Sequence, residues 1–248
     1  MSNLQSSVRE ARLQSANMPK PETTYERNVS ANSNEKSSVS ANSISNNSIS
    51  SNSINSSPVL DIYGQIKSEN ENFYGWITIE DTGIYYPIMQ GPDNKFYLSH
   101  DIDNKQYKHG MLILDDNCSD EFAVPDYIVY GHNINGGKYF GELTFYKDRG
   151  YYEYHPVVIF DSIYEMREFE IFAVLNTTVS EAQDEHQLFT TWNFDNETDY
   201  NNMVSWAKSA SLYETDYTPV YGDAILTLIT CEHSTSDGRF VVMAAKHK

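Results

Sequence analysis

Cys231 is one of only two cysteines in 248 residues, and it closes an apolar run, "AILTLITC". A short polar loop, residues 232–238, separates it from Arg239, which opens a second apolar run, "RFVVMAA". If the two runs pair as antiparallel strands, the thiol and the guanidinium flank the turn within side-chain reach of each other. The thiolate is the attacking form of cysteine, and a neighbouring cation favours it. Attack on a carbonyl builds negative charge on its oxygen. A fixed guanidinium, or the backbone N–H groups just after the nucleophile, can receive that charge. A proton carrier is also needed, and "DYIVYGHNINGG" places His132 at the end of an apolar strand beside a Gly-rich turn. Of the seven histidines only His132 combines a strand end with an adjoining open loop. The competing reading is a buried core cysteine, a solvated arginine and a hydrogen-bonded structural histidine. His132 precedes Cys231, which does not fit a papain-like order, and no caspase signature surrounds the cysteine. Cys118, in "LDDNCSDEF", reads as a loop thiol, with a Cys118–Cys231 bridge as the alternative.

These side chains need rigid elements to hold them. Ala224–Thr230 is apolar on both faces, the mark of a central strand, and Phe240–Ala245 reads the same way. Strands are also expected in "GWITIED", "TGIYYPIMQ", "GMLILDD", "DYIVYGHN", "HPVVIFDS" and "EMREFEIFAVLNTT". Pro87 within "TGIYYPIMQ" suits an edge or a bulge. A short helix is expected at Val8–Ala16. Another begins at Pro58, with Leu60, Ile62, Tyr63 and Ile66 roughly on one side. "GKYFGELTFYKD" reads as a short helix after a Gly-rich turn. "FDNETDYNNMVSWAKSASLY" is a longer one. Asp195 or Asn196 caps its start, acidic residues fill its first turn, and Met203, Val204, Trp206 and Ala207 form its apolar face. Some eight short strands with few helices point to an all-β barrel or a β-rich α+β domain.

Composition narrows the function. Residues 28–57 hold 13 Ser and 8 Asn, too little apolar area to offset the entropy of ordering them. The chain therefore divides into a polar N-terminal segment (1–27), a disordered Ser/Asn-rich spacer (28–57) and a folded domain (58–248). A net charge of −18 argues against nucleic acid, whose binding needs clustered Lys and Arg. Neither CxxC nor HExxH occurs, so no metal site is expected. Nucleotide-binding glycine motifs are missing too, and no cofactor is expected. No apolar run approaches the ~20 residues of a membrane span, and the N-terminus lacks the apolar middle of a signal peptide. A soluble chain is expected, or one without its anchor.

Taken together, the motifs resemble the sortase family. "TLITC" is similar to its T-L-x-T-C signature, "GRFVVMAAK" resembles the strand that begins with its catalytic arginine, and "YGHN" the segment holding its histidine. "FYGWITIEDTGIYYPIMQGPDNKFYLSHDI", "GGKYFGELTFYKDRGYYEYHPVVIFD" and the helix near 195–211 resemble class B sortases in particular, over about residues 58–248. The resemblance implies a mainly β fold: a closed sortase-type barrel with an added N-terminal helix and the helix near 195–211. It implies a cysteine transpeptidase at the extracellular face of the membrane, in the cell envelope. Such an enzyme cuts a C-terminal sorting signal of surface proteins after Thr and passes the acyl group to an amine of the cell wall. Pilin polymerisation onto a Lys acceptor, or a non-catalytic envelope binding module, are the alternatives. Cys231 is then the nucleophile, His132 the acid/base and Arg239 the group that positions substrate and stabilises the oxyanion. Asn94, Leu98, Tyr130, Ile229 and Glu232 are expected to line the peptide groove, with the Glu232 N–H a second oxyanion donor. Ile229 departs from the small polar residue common at its place in class B.

Overall fold

Along β1 (Phe73–Thr78) successive side chains point to opposite faces of the strand, and both faces are buried. Ile77 joins a cluster with Ile88, Leu112, Leu114 and Ile128, while its neighbour Trp76 joins another with Tyr63, Tyr85 and Val8. Two-sided burial requires one layer inside a curved sheet and another outside it. A computed structural model of the chain describes residues 2–16, 58–179, 194, 196–232 and 237–246. In chain order the remaining strands are β2 (Tyr85–Met89), β3 (Leu112–Leu114), β4 (Asp126–Tyr130), β5 (Asn133–Ile134) and β6 (Lys138–Tyr139). They continue with β7 (Val157–Ser162), β8 (Glu168–Thr178), β9 (Ala224–Glu232) and β10 (Gly238–Lys246). Eight of them close into a barrel in the order β1-β2-β3-β4-β9-β10-β8-β7, and β5 and β6 form a separate ribbon. The fold is thus mainly β, and closure decides for the barrel over an open α+β sheet.

Pairing is antiparallel except between β2 and β3 and between β4 and β9. β9 lies between β10 and β4, as its doubly apolar sequence requires. Pro87 is not on an edge strand: β2 has β1 on one side and β3 on the other. The β3 ladder begins only at Ile88, so the ring sits just outside it. A bulge falls in the same pair, on β1 between Phe73 and Gly75. Gly75 is forced by proximity. A Cβ there would stand 1.8 Å from the Asp161 carbonyl oxygen of β7. Gly75→Ala must spread β1 from β7, and a loss of about 3 kcal/mol is expected from such overpacking. A shift of the urea midpoint measures it; an unchanged midpoint would show that the two strands separate freely.

The helices mostly follow the sequence. α1 (Ser2–Ala16) starts earlier than expected, and α2 (Pro58–Glu69) begins at the expected proline. A 3-10 stretch (Phe140–Lys147) and α3 (Arg149–Tyr154) succeed β6, where one short helix was expected. Asp148 explains the break: its backbone is extended and its side chain accepts from the Gly150 N–H, restarting the helix. α4 (Glu197–Ala210) is capped by Asn196, whose side chain accepts from the Asp199 N–H at 3.0 Å. The alternative cap Asp195 and the spacer 28–57 lie outside the described residues.

The N-terminal segment, polar in sequence, contributes to packing. Val8 and Ala11 of α1 are buried with Tyr63 and Ile66 of α2 and with Trp76 of the barrel. Gln5 donates to the Tyr85 carbonyl at 2.8 Å, and the Arg9 guanidinium lies 5.0 Å from the centre of the Tyr85 ring. Arg12 pairs with Asp161, a fully buried carboxylate of β7 that also accepts from the Tyr63 hydroxyl at 2.9 Å. Among the described residues no helix is long and apolar enough to cross a membrane.

Candidate active site

β9 and β10 run in unbroken antiparallel register from Ala224↔Lys246 to Glu232↔Gly238, which sets Cys231 directly opposite Arg239. Paired residues in such a ladder share a face, so thiol and guanidinium emerge on the same side of the hairpin. Both side chains are half-buried at the end of rigid, buried strands. Arg239 Nη1 donates to the Gly238 carbonyl at 2.9 Å, which steadies one arm of the fork. Cys231 carries no disulfide, and neither does Cys118; the alternative bridge is absent. Cys118 lies in the loop between β3 and β4, as expected, and is buried there; burial pushes its pKa far up, so it stays a neutral thiol. Its sulfur accepts from the Ile128 N–H at 3.2 Å.

His132 arrives from the other neighbour of β9. β4 runs parallel to β9 with Tyr130 opposite Ile229, so the residues just after Tyr130 are carried toward Cys231. The contact continues past the ladder. The Gly131 N–H donates to the Ile229 carbonyl at 3.0 Å, and Thr230 Oγ1 donates to the Gly131 carbonyl at 2.8 Å. Asn133 Nδ2 then donates to the Cys231 carbonyl at 2.8 Å. His132 lies between these bonded residues, and its own carbonyl accepts from the Phe140 N–H at 3.1 Å. Its ring Nε2 meets the Leu98 carbonyl at 3.2 Å. A carbonyl only accepts, so Nε2 carries the hydrogen and Nδ1 is the nitrogen left to exchange a proton.

The expected groove residues divide. Asn94 and Tyr130 converge on one buried carboxylate, Asp115. Asn94 Nδ2 donates to its Oδ2 at 2.9 Å and the Tyr130 hydroxyl at 3.1 Å. Burial and Asp115 drive the Tyr130 pKa well above the ordinary phenol range, so it remains a donor. Leu98 has an exposed side chain and touches His132 through its carbonyl. Ile229 departs from expectation: it is only 2 % exposed and packs in the barrel core. It shares the Cys231 face of β9 two residues below, so it forms floor rather than accessible lining. Glu232 is the last residue of β9, opposite Gly238. The backbone of Ile229 and Cys231 bonds toward β4, so the Glu232 N–H turns the other way, toward Gly238, and departs from the expected role of oxyanion donor. Residues 233–236 of the connecting loop lie outside the described residues. Sequence reasoning missed Asp115, Thr230 and Asn133, because their partners lie far off along the chain.

A closed barrel of this kind is shared with known proteins. Residues 77–247 match the Sortase domain family, and the chain belongs to the sortase family of cysteine transpeptidases, which act at the cell envelope. Within that family it is a class B sortase. It is 32% identical over 191 residues to sortase B of Listeria monocytogenes, spanning 73% of this chain and 75% of that one. The structure of Clostridium perfringens sortase B superposes with a TM-score of 0.68 at 28% identity, covering 75% of this chain and 99% of the other. A Staphylococcus aureus sortase B–substrate complex also superposes at 0.68, with 27% identity over 76% and 85% of the two chains.

Proposed function

We propose that this sortase cleaves a C-terminal sorting signal of a surface protein after its threonine and transfers the acyl group to an amine of the cell wall, at the outer face of the membrane. The observation that carries the reading is the register that sets Cys231 opposite Arg239, with His132 tied to the same strand end. The Cys231 thiolate attacks the threonine carbonyl, and the Arg239 guanidinium receives the oxyanion charge. As the C–N bond breaks and the C–S bond of the thioester remains, His132 gives its proton to the departing amine. An incoming amine then loses a proton to His132 and attacks the thioester, and the thiolate leaves. Asn94, Leu98, Tyr130 and the backbone around Glu232 bound the peptide groove, over a floor that includes Ile229.

The test is incubation with peptides of the Asn-Pro-x-Thr-x type, followed by intact mass. An adduct of the acyl fragment mapping to Cys231 is expected, discharged by an added peptidoglycan-type amine. Discharge only by a lysine side chain on a pilin segment would replace the wall acceptor by a pilin, and discharge only by water would make the protein a hydrolase. If no sorting peptide gives an adduct while iodoacetamide labels Cys231, the reading fails.

A further inference from the structure

A single carboxamide joins the two strand ends of this site. Asn133 follows His132 directly, and its Nδ2 donates to the carbonyl of Cys231 at 2.8 Å. The bond bridges 98 positions of sequence. Among the described residues it follows two earlier links between the end of β4 and the end of β9, Gly131 to Ile229 and Thr230 to Gly131. Asn133 is itself held. It pairs with Tyr139 across the β5–β6 ribbon. The 3-10 stretch that follows packs so closely that a Cβ on Gly141 would stand 2.5 Å from the Ile134 carbonyl oxygen and 3.2 Å from Asn133 Oδ1.

We infer that Asn133 is a positioning residue for the transpeptidation proposed above: it locks the end of β4, and with it His132, to the Cys231 end of β9. The reason is chain geometry. Asn133 follows His132 directly, so a side chain anchored on the Cys231 carbonyl limits how far the His132 backbone can move from the nucleophile. A general acid must stand within hydrogen-bond reach of the leaving group. Without the tether the end of β4 would loosen and His132 would spend less time in that position. The carboxamide is neutral, so it acts through geometry and leaves the ionisation of the site to other groups.

The inference rests on the function proposed for Cys231, and the test separates the two. Parent protein, Asn133→Ala and Asn133→Asp are compared in single-turnover acylation by a sorting peptide across pH. Melting temperature and the rate of Cys231 alkylation by iodoacetamide are measured alongside. Asn133→Asp keeps the size of the side chain but removes the amide donor, so it reports even if the alanine variant folds poorly. A placed general acid contributes ~10²–10⁴-fold, so loss of its support is expected to slow acylation by about 10–100-fold, whereas alkylation needs no proton from His132. The half-saturating peptide concentration and the pH of maximal rate should stay where they are in the parent, and iodoacetamide should label all three proteins alike. A residue with a merely structural role would lower the melting temperature and reduce all Cys231 chemistry in proportion to the unfolded fraction. That result, or acylation within twofold of the parent in both variants, overturns the inference while leaving the transpeptidase reading intact. If the parent itself forms no adduct although iodoacetamide labels Cys231, the reading fails and the inference falls with it.

Discussion

Cys231→Ala is expected to abolish the acyl adduct completely, and Arg239→Lys to slow its formation by ~100-fold or more although the positive charge is kept. The first outcome follows from the nucleophile: Cys118, the other thiol, is buried, hydrogen-bonded and kept neutral, so it cannot substitute. The second follows from the shape of the guanidinium. Arg239 spends one nitrogen on the Gly238 carbonyl and projects the rest of a rigid fork over the Cys231 side of the hairpin. Lysine offers a single ammonium on a flexible stem, which cannot hold the backbone carbonyl and face the oxyanion at once. Single-turnover acylation measures both variants, with circular dichroism to show that the barrel is intact. Arg239→Lys retaining more than a third of the parent rate would show that charge alone suffices and that the fork has no part in aiming it.

The other large effect is on stability. Arg12→Met is expected to cost about 3–5 kcal/mol at neutral pH, because it strands the buried Asp161 carboxylate without its cation. Methionine retains the length and packing of the stem next to Val8 and Ala11, so lost charge dominates the result. The pH dependence identifies the cause. Burial already pushes the Asp161 pKa above its ordinary value, against the pull of Arg12, the Tyr63 hydroxyl and the Arg167 N–H. A folded-state pKa above the unfolded one means that the native protein binds more protons. The stability tied to Asp161 is therefore fully present below about pH 4 and is lost as pH rises through the raised value. Removing Arg12 raises that value further and deepens the loss. The difference between variant and parent should thus be largest near pH 7 and shrink toward pH 4, in urea denaturation at several pH values. A pH-independent difference would assign the effect to packing.

How far the sequence could be read follows from the range of each interaction. The hairpin pairing of Cys231 with Arg239 was legible because both strands and the loop lie within a few residues of each other, and hairpin register is a local property. The cap of α4 was legible for the same reason: Asn196 reaches only to Asp199. Ile229 departs because its place in the groove came from the family resemblance, which does not say how deeply this barrel buries the side chain. On a strand buried on both faces, a side chain two residues below the rim is core. α1 misled in the opposite sense. Its mean polarity hid Val8, Ala11 and Arg12, whose partners are on α2, β1 and β7.

By itself, the sequence determined which segments form the eight barrel strands, though not the β5–β6 ribbon, the order of His132, Cys231 and Arg239, and the pairing across the final hairpin. Periodicity and turn chemistry act over a few residues, and they leave their mark locally. Only the tertiary structure decided that the sheet closes, that β4 lies parallel beside β9, and that Asn133, next to His132 in the chain, therefore bonds to Cys231. A parallel neighbour is chosen by how whole faces pack around the barrel, and nothing in either strand alone names the other. The active end of this protein is a local hairpin completed by a long-range neighbour.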